Sequence, residues 1–183
     1  MPFLNQYDIF SSDLHFYHDN VIKHANRPFV NAQEMNEALV RNWNGRVNAS
    51  DDIYILGDVT MKGATYANEI LGQLNGNKYL IKGNQDRFTD QQSLDKSLFI
   101  WIKDYHEFNV GKDQFILFHY PIEEWNGFFR GSFHLHRHQH NHEDYNYKNR
   151  KKGLRRYDVG VDANQMAPVS LEEIFAFFEL KNK

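Results

Sequence analysis

Tyr7-Asp8-Ile9-Phe10-Ser11-Ser12-Asp13-Leu14-His15 begins as a strand, Tyr7 to Phe10, and ends in two side chains able to hold a metal. The same ending recurs three times. Asp52 to Leu56 reads as a short buried strand stopped by Gly57-Asp58, and Tyr79-Leu80-Ile81 is stopped by Gly83-Asn84-Gln85-Asp86. Gln114 to Phe118 runs directly into His119. Ligand sites of open α/β sheets form beyond the carboxyl ends of strands, so polar groups gathered there from distant positions are what a shared site requires. In an extended segment residues two apart point the same way, so Asp13 and His15 can address one ion, and so can His138 and His140. The glycines before Asp58 and Asn84 let the backbone turn sharply and bring those side chains close.

Helices alternate with these strands. Asn31 is a good N-cap with Glu34 three residues on, and Met35, Leu39 and Trp43 mark one face of a helix that Asn44-Gly45 ends. Ala67, Ile70, Leu71 and Leu74 predict a second amphipathic helix, closed by Asn75-Gly76. Phe99 to Ile102 and Glu107 to Val110 look extended, with Gly111-Lys112-Asp113 as a turn. Tyr157 to Val161 is strand-like, and Ser170 with Glu173 forms a capping box before Leu171, Ile174, Phe175 and Phe178. An α/β domain is the expectation, one domain over residues 1–183 with no linker, repeat or low-complexity tract.

Composition excludes several classes. Apolar residues make up 41%, which fits a soluble globular chain rather than a disordered one. The formal charge of -3 argues against strong binding to duplex nucleic acid, although a nucleotide substrate fits. With no Cys, a metal would sit on His, Asp, Glu, Asn or water. The start Met1-Pro2-Phe3-Leu4-Asn5-Gln6 makes a poor signal peptide, and no stretch approaches the roughly 18 apolar residues of a membrane span. A soluble cytoplasmic protein with no membrane partner is expected; the sequence leaves its oligomeric state open.

His134, His136, His138, His140 and His142 share one parity, so an extended chain would place all five on one face. At about 3.3 Å per residue its ends would lie roughly 26 Å apart, so only two or three neighbours can serve one metal centre. Parity does not say which.

The ordered set Asp13-x-His15, Gly57-Asp58, Gly83-Asn84-x-Asp86, His119 and His138-x-His140 resembles the calcineurin-like metallophosphoesterase family. The tail Asp158-Val159-Gly160-Val161-Asp162 is similar to the closing strand of its small bacterial and phage members. The resemblance implies a four-layer fold, two β-sheets sandwiched between helical layers. It implies that Asp13, His15, Asp58 and His140 hold one divalent ion and that Asp58 bridges to a second, held also by Asn84, His119 and His138. It further implies hydrolysis of phosphomonoesters or phosphodiesters by a hydroxide between the ions, with Asp58, Asn84 and Asp86 in the catalytic set. Hard oxygen ligands and imidazoles suit Mn, the first expectation, and equally Fe, Zn or Ni. The substrate would be small and phosphorylated, a nucleotide or short oligonucleotide among the options.

Two positions depart from the family pattern. Gln85 stands where the family has a His that protonates the leaving group, and an amide donates a hydrogen bond but does not titrate. Arg137 stands where the family has Gly; it either faces solvent or grips phosphate bidentately, and a positive φ there would strain it. His18 and Arg27, with the segment Asn26-Arg27-Pro28-Phe29, look like a first-loop extension. Either they contact substrate phosphate, with His18 as the substitute acid, or His18 starts a short helix and Arg27 makes a surface ion pair. His24, His106, His134 and His142 read as surface or packing residues, and His136 as one that orients a ligand. Trp125 either flanks the site or packs in the core. The run Lys148, Arg150, Lys151, Lys152, Arg155 and Arg156 reads as a solvated loop or as a steering patch for a polyanion. Two competitors remain: a non-catalytic binding module on the same fold, and a His-rich metal-storage domain, which leaves the earlier motifs without a role.

Overall fold

The computed structural model describes residues 8–142 and 144–178. In chain order the regular elements are β1 (Ile9–Ser11), α1 (Asp19–His24), α2 (Ala32–Asn44), β2 (Asp52–Ile55), α3 (Ala64–Leu71), β3 (Asn77–Ile81) and β4 (Phe99–Lys103). They continue with β5 (Tyr105–Val110), β6 (Asp113–Phe118), β7 (Phe133–His136), α4 (Asp144–Lys151), β8 (Arg156–Asp158), β9 (Val169–Ser170) and α5 (Leu171–Phe177). Two mixed sheets result, in the orders β4-β3-β2-β1-β9 and β5-β6-β7-β8. β1 to β4 pair parallel and β9 runs antiparallel to β1. In the second sheet β5 and β6 form a hairpin, while β6, β7 and β8 are parallel.

Strand alternation builds two cores. Ile9, Ile53, Ile55 and Leu80 face Met35, Leu39 and Trp43 of α2 and Ala67, Ile70 and Leu71 of α3. The intervening residues Phe10, Tyr54, Tyr79 and Ile81 face the other way, against Phe108, Phe115, Leu117, Phe133 and Leu135 of the second sheet. Rings stack in one column from sheet to sheet: Tyr79–Tyr54 at 4.7 Å, Tyr54–Phe10 at 5.5 Å, Phe10–Phe108 at 6.4 Å, Phe108–Phe115 at 5.1 Å and Phe115–Phe133 at 4.8 Å. Offset stacks of this kind each add about 0.5–1.5 kcal/mol beyond burial. Phe175 of α5 closes the column edge-on against Phe115 and Phe133. The expected two-sheet α/β sandwich is the observed one.

The caps act where the residue types place them. Asn31 accepts from Glu34 N at 2.9 Å, and Ser170 and Glu173 form the reciprocal capping box. Differences are local. β1 is shifted toward Ser11, and Tyr7 lies outside the described residues, as does the N-terminal segment Met1 to Gln6. α3 ends at Leu71 because Gly72 caps it, and Leu74 reaches the core from the following turn. The strand expected from Tyr157 to Val161 stops at Asp158, and Val161–Ala163 coils into a 3-10 turn. The basic run is not a loop: its first half is α4. Its arginines are engaged, Arg150 with Phe177 O at 2.6 Å, Arg155 with Gly131 O at 2.7 Å and Arg156 with Ile122 O at 3.1 Å. No helix among the described residues is long and apolar enough to cross a membrane.

Candidate metal centre

The parallel strands β1, β2, β3, β6 and β7 all deliver their C-terminal loops to one edge of the sandwich. Beyond β1 and β2 the chain keeps pairing: Asp13 N donates to Gly57 O and His15 N to Asp58 O, each at 3.0 Å. Arg137 N does the same to His119 O at 2.9 Å, continuing the β6–β7 register. Two groups of ligand atoms meet there. Asp13, His15 and His140 form one, Asp58, His119 and His138 the other, with the atoms of each group within 4.8 Å of one another. Asp58 lies between them, since its Oδ2 is 3.7 Å from His15 Nε2 and 3.6 Å from His119 Nε2. Asn84 Oδ1 is 3.1 Å from His119 Nε2.

Hydrogen bonds aim these side chains. His119 Nδ1 donates to Leu56 O at 2.7 Å, and His140 Nδ1 lies 3.0 Å from Asp162 Oδ2, contacts that fix the orientation of the two rings. Asp58 Oδ1 accepts from Gln85 N at 2.8 Å, so Oδ2 is the oxygen turned toward both groups. Asp86 is buried, and its carboxylate accepts from Asp58 N, Val59 N and Gly83 N, each at 2.8 Å. Its expected place in the catalytic set is therefore corrected: with both oxygens spoken for, it ties the Asp58 loop to the Asn84 loop.

Strain concentrates at the same edge. Asp13 (φ 50°), His15 (49°), Asp58 (55°), His138 (87°) and His140 (47°) all occupy the left-handed region, which costs about 1–3 kcal/mol per non-glycine residue. None of Asp13, His15, His138 and His140 is extended: Asp13 and His15 still share a group, whereas His138 and His140, expected to address one ion, do not. β7 ends at His136, the backbone reverses, and the two imidazoles enter different groups, as the family resemblance implied. Arg137 is absent from the positive-φ residues; the strain falls on His138 instead.

The donor set fits divalent cations on two observations. His15 Nε2 is buried and has no hydrogen-bond partner. Burial, followed by the neighbouring Asp13 charge, pushes the Asp58 carboxyl up to about 7, which marks a carboxylate short of positive charge. Burial also lowers His15 to about 3 and moves His18 and His138 downward, which keeps these rings neutral and their lone pairs available.

A cleft of about 460 Å³ opens over the groups, lined by His15, His18, His24, Asp58, Asn84, Gln85, His138 and His140 with Asn20, Val21 and Met61. His18 thus stands on its wall, its Nδ1 3.5 Å from His15 Nδ1. Arg27 and Arg137 do not, and their expected contact with substrate phosphate is corrected. Arg27 is buried, bonded to Asp162 Oδ1 at 2.7 Å, Asp13 O at 2.6 Å and Leu14 O at 3.0 Å. Arg137 is fully buried and ion-paired to Asp13, Asp158 and Asp162, so it neither faces solvent nor reaches the cleft. Trp125 packs inside with Nε1 on Ser132 Oγ at 2.9 Å. His134 and His136 are buried on β7, and His136 contacts Tyr145 and the Arg137 carbonyl rather than a candidate ligand. His142 is exposed, and His106 is partly buried against Trp101.

His24, read as a surface or packing residue, is exposed and meets His140 edge-on at 5.5 Å on the cleft wall. Two contributors went unread in the sequence: Asp158 and Asp162 are the partners of the two arginines. The spacing of two Asp around Gly160 was visible, but nothing local connects them to Arg27 and Arg137.

Fold and site together define a two-sheet α/β protein with His and Asp groups able to hold metal at the strand ends. No family model matches the chain. The uncharacterized protein MJ1445 of Methanocaldococcus jannaschii is 35% identical over 171 residues, 92% of this chain and 89% of its own. The chain belongs to the family of that archaeal protein. The crystal structure of AQ665 from Aquifex aeolicus, a protein of unknown function, matches with a TM-score of 0.68 and 26% identity, covering 93% of this chain and 98% of its own. Yfce, a phosphoesterase from E. coli, aligns at 17% identity and a TM-score of 0.35 over 72% of this chain and 68% of its own, too distant to bear on function.

Proposed function

We propose that this chain is a metal-dependent phosphoesterase of the calcineurin-like kind, acting on small phosphate esters. The observation that carries it is Asp58 Oδ2, placed between two sets of imidazoles. Asp13, His15, His140 and Asp58 would hold one divalent cation, and Asp58, Asn84, His119 and His138 the other. When bound, such a pair polarises a phosphoryl oxygen and makes water available as a nucleophile near neutral pH. The chain's own residues do the rest. Asn84 stands exposed in the cleft beside His119, where its amide can donate to a phosphoryl oxygen. Met61, Val21 and the imidazoles form a wall without Lys or Arg, which suits an ester with an uncharged substituent better than a polyphosphate. His18 stands on that wall, where its neutral ring can donate an N–H hydrogen bond to a leaving oxygen, whereas Gln85 offers only its amide.

Metal-stripped protein is expected to be inert toward aryl phosphate mono- and diesters, with Mn(II) restoring turnover. Absence of turnover with Mn, Fe, Ni and Zn alike would favour a binding module instead. Gln85→His is expected to raise the rate for esters with poor leaving groups by about 10- to 100-fold and to leave good ones nearly unchanged. Equal gains on both series would remove the leaving-group role assigned to that position.

A further inference from the structure

Arg137 directly precedes His138, and the chain is shaped around it. Its Nε lies 2.5 Å from Asp13 Oδ2, Nη1 is 3.1 Å from Asp158 Oδ2, and Nη2 pairs with Asp162 and sits 3.2 Å from His140 Nδ1. Gly160 has an ordinary backbone, φ −67° and ψ 153°, so conformation does not demand glycine there. Space does: a Cβ would fall 2.1 Å from Arg137 Nε and 2.2 Å from its Cδ. A guanidinium buried this completely requires every ionic partner. One of those partners, Asp13, is also a donor of the first metal group.

Among the described residues no Lys or Arg is in ion-pair contact with a carboxylate of the second group, which feels Arg137 only at longer range. Asp58 Oδ1 takes the Gln85 N–H, and Oδ2 faces imidazoles. Building on the metal-centre proposal, we infer that Arg137 is a fixed cation within the Asp13–His15–His140 group, so that the two groups bind divalent ions unequally and the Asp58–His119–His138 group fills first. Two effects act in the same direction. Asp13 has only Oδ1 free of the guanidinium. A dication entering there also meets a like charge at short range in a buried site, where screening is weakest. Meanwhile Arg137 keeps Asp13, His140 and the closing segment together when metal is absent. Turnover then follows occupancy of the weaker site, which makes the protein responsive to metal supply.

Metal-stripped protein is titrated with Zn(II), by calorimetry for the two affinities and by NMR of the assigned histidine rings for their order. Expected are two Kd values at least tenfold apart, with His119 and His138 shifting in the first equivalent and His15 and His140 in the second. The paired change Arg137→Gln with Asp158→Asn removes one charge of each sign, so the net charge of the buried cluster is kept; circular dichroism checks its fold. In that variant the weaker Kd is expected to tighten at least threefold. Should it not fold, Arg137→Lys, which retains the charge, is expected to keep the order of filling. Simultaneous or reversed filling in the unmodified protein overturns the inference, as does an unchanged gap in the folded pair or a lost order with Lys; in each case the metal centre itself still stands. No Zn(II) binding at all overturns both.

Discussion

Asp58→Asn is expected to lower metal-supported turnover of an aryl phosphate by at least about a thousandfold, the scale set by removing charge at the reacting centre. The Asn oxygen can still accept from Gln85 N, so the loop geometry survives; what is lost is the negative charge shared by two sets of imidazoles. Stability is expected to move the other way. In metal-free protein burial beside Asp13 holds the Asp58 carboxyl up at about 7, above its ordinary 3.8. Ionising it in the folded state is therefore unfavourable, and that cost is fully present at pH 8. Without metal at pH 8, the variant should melt no lower than the unmodified protein, and the rise in Tm on adding Mn(II) should shrink. Melting curves with and without Mn(II), beside a turnover assay, check both halves. Near-full activity in this variant would end the two-metal proposal.

Gly57→Ala should be strongly damaging, since conformation and space both demand glycine there. Gly57 has φ +91°, and a Cβ there would lie 2.5 Å from Gly83 N, 2.6 Å from Gly83 Cα and 2.6 Å from His119 Nδ1. Two of these atoms are backbone and the third is fixed by its bond to Leu56 O, so the loops of the two sheets must part. A loss of about 3–4 kcal/mol is expected, roughly 10 °C in Tm, together with weaker Mn(II) binding. Gly111→Ala separates conformation from space. Gly111 also has a positive φ, +57°, but nothing lies within 4 Å of its Cβ position, so only about 1–2 kcal/mol is expected. Equal melting losses in the two variants would show that the close approach at Gly57 does not matter.

The sequence revealed most of the strands and nearly all of the candidate donors because both are local. Alternation marks Ile9, Ile53 and Ile55, and a strand end followed by Asp or His marks the loops. The partners of Arg27 and Arg137 were not legible, since Asp162 lies 135 residues from the first and 25 from the second. Their burial depends on three segments closing together, which no window of sequence contains. The turn after β7 was also hidden. A parity rule presumes extended backbone, and the left-handed angles of His138 and His140 break it within two residues of the strand end. α4 escaped because it buries only Asn146 and Asn149, leaving no apolar stripe to read.

A single residue, Asp104, separates the last strand of the first sheet's parallel run from the first strand of the second. Asp13, His15, Asp58 and Asn84 come from one side of that junction, His119, His138 and His140 from the other, and each metal group draws on both. Neither half of the chain therefore owns a complete set of donors. An ion held at this edge would rivet one sheet to the other, so that filling of the site and closure of the sandwich become the same mechanical event.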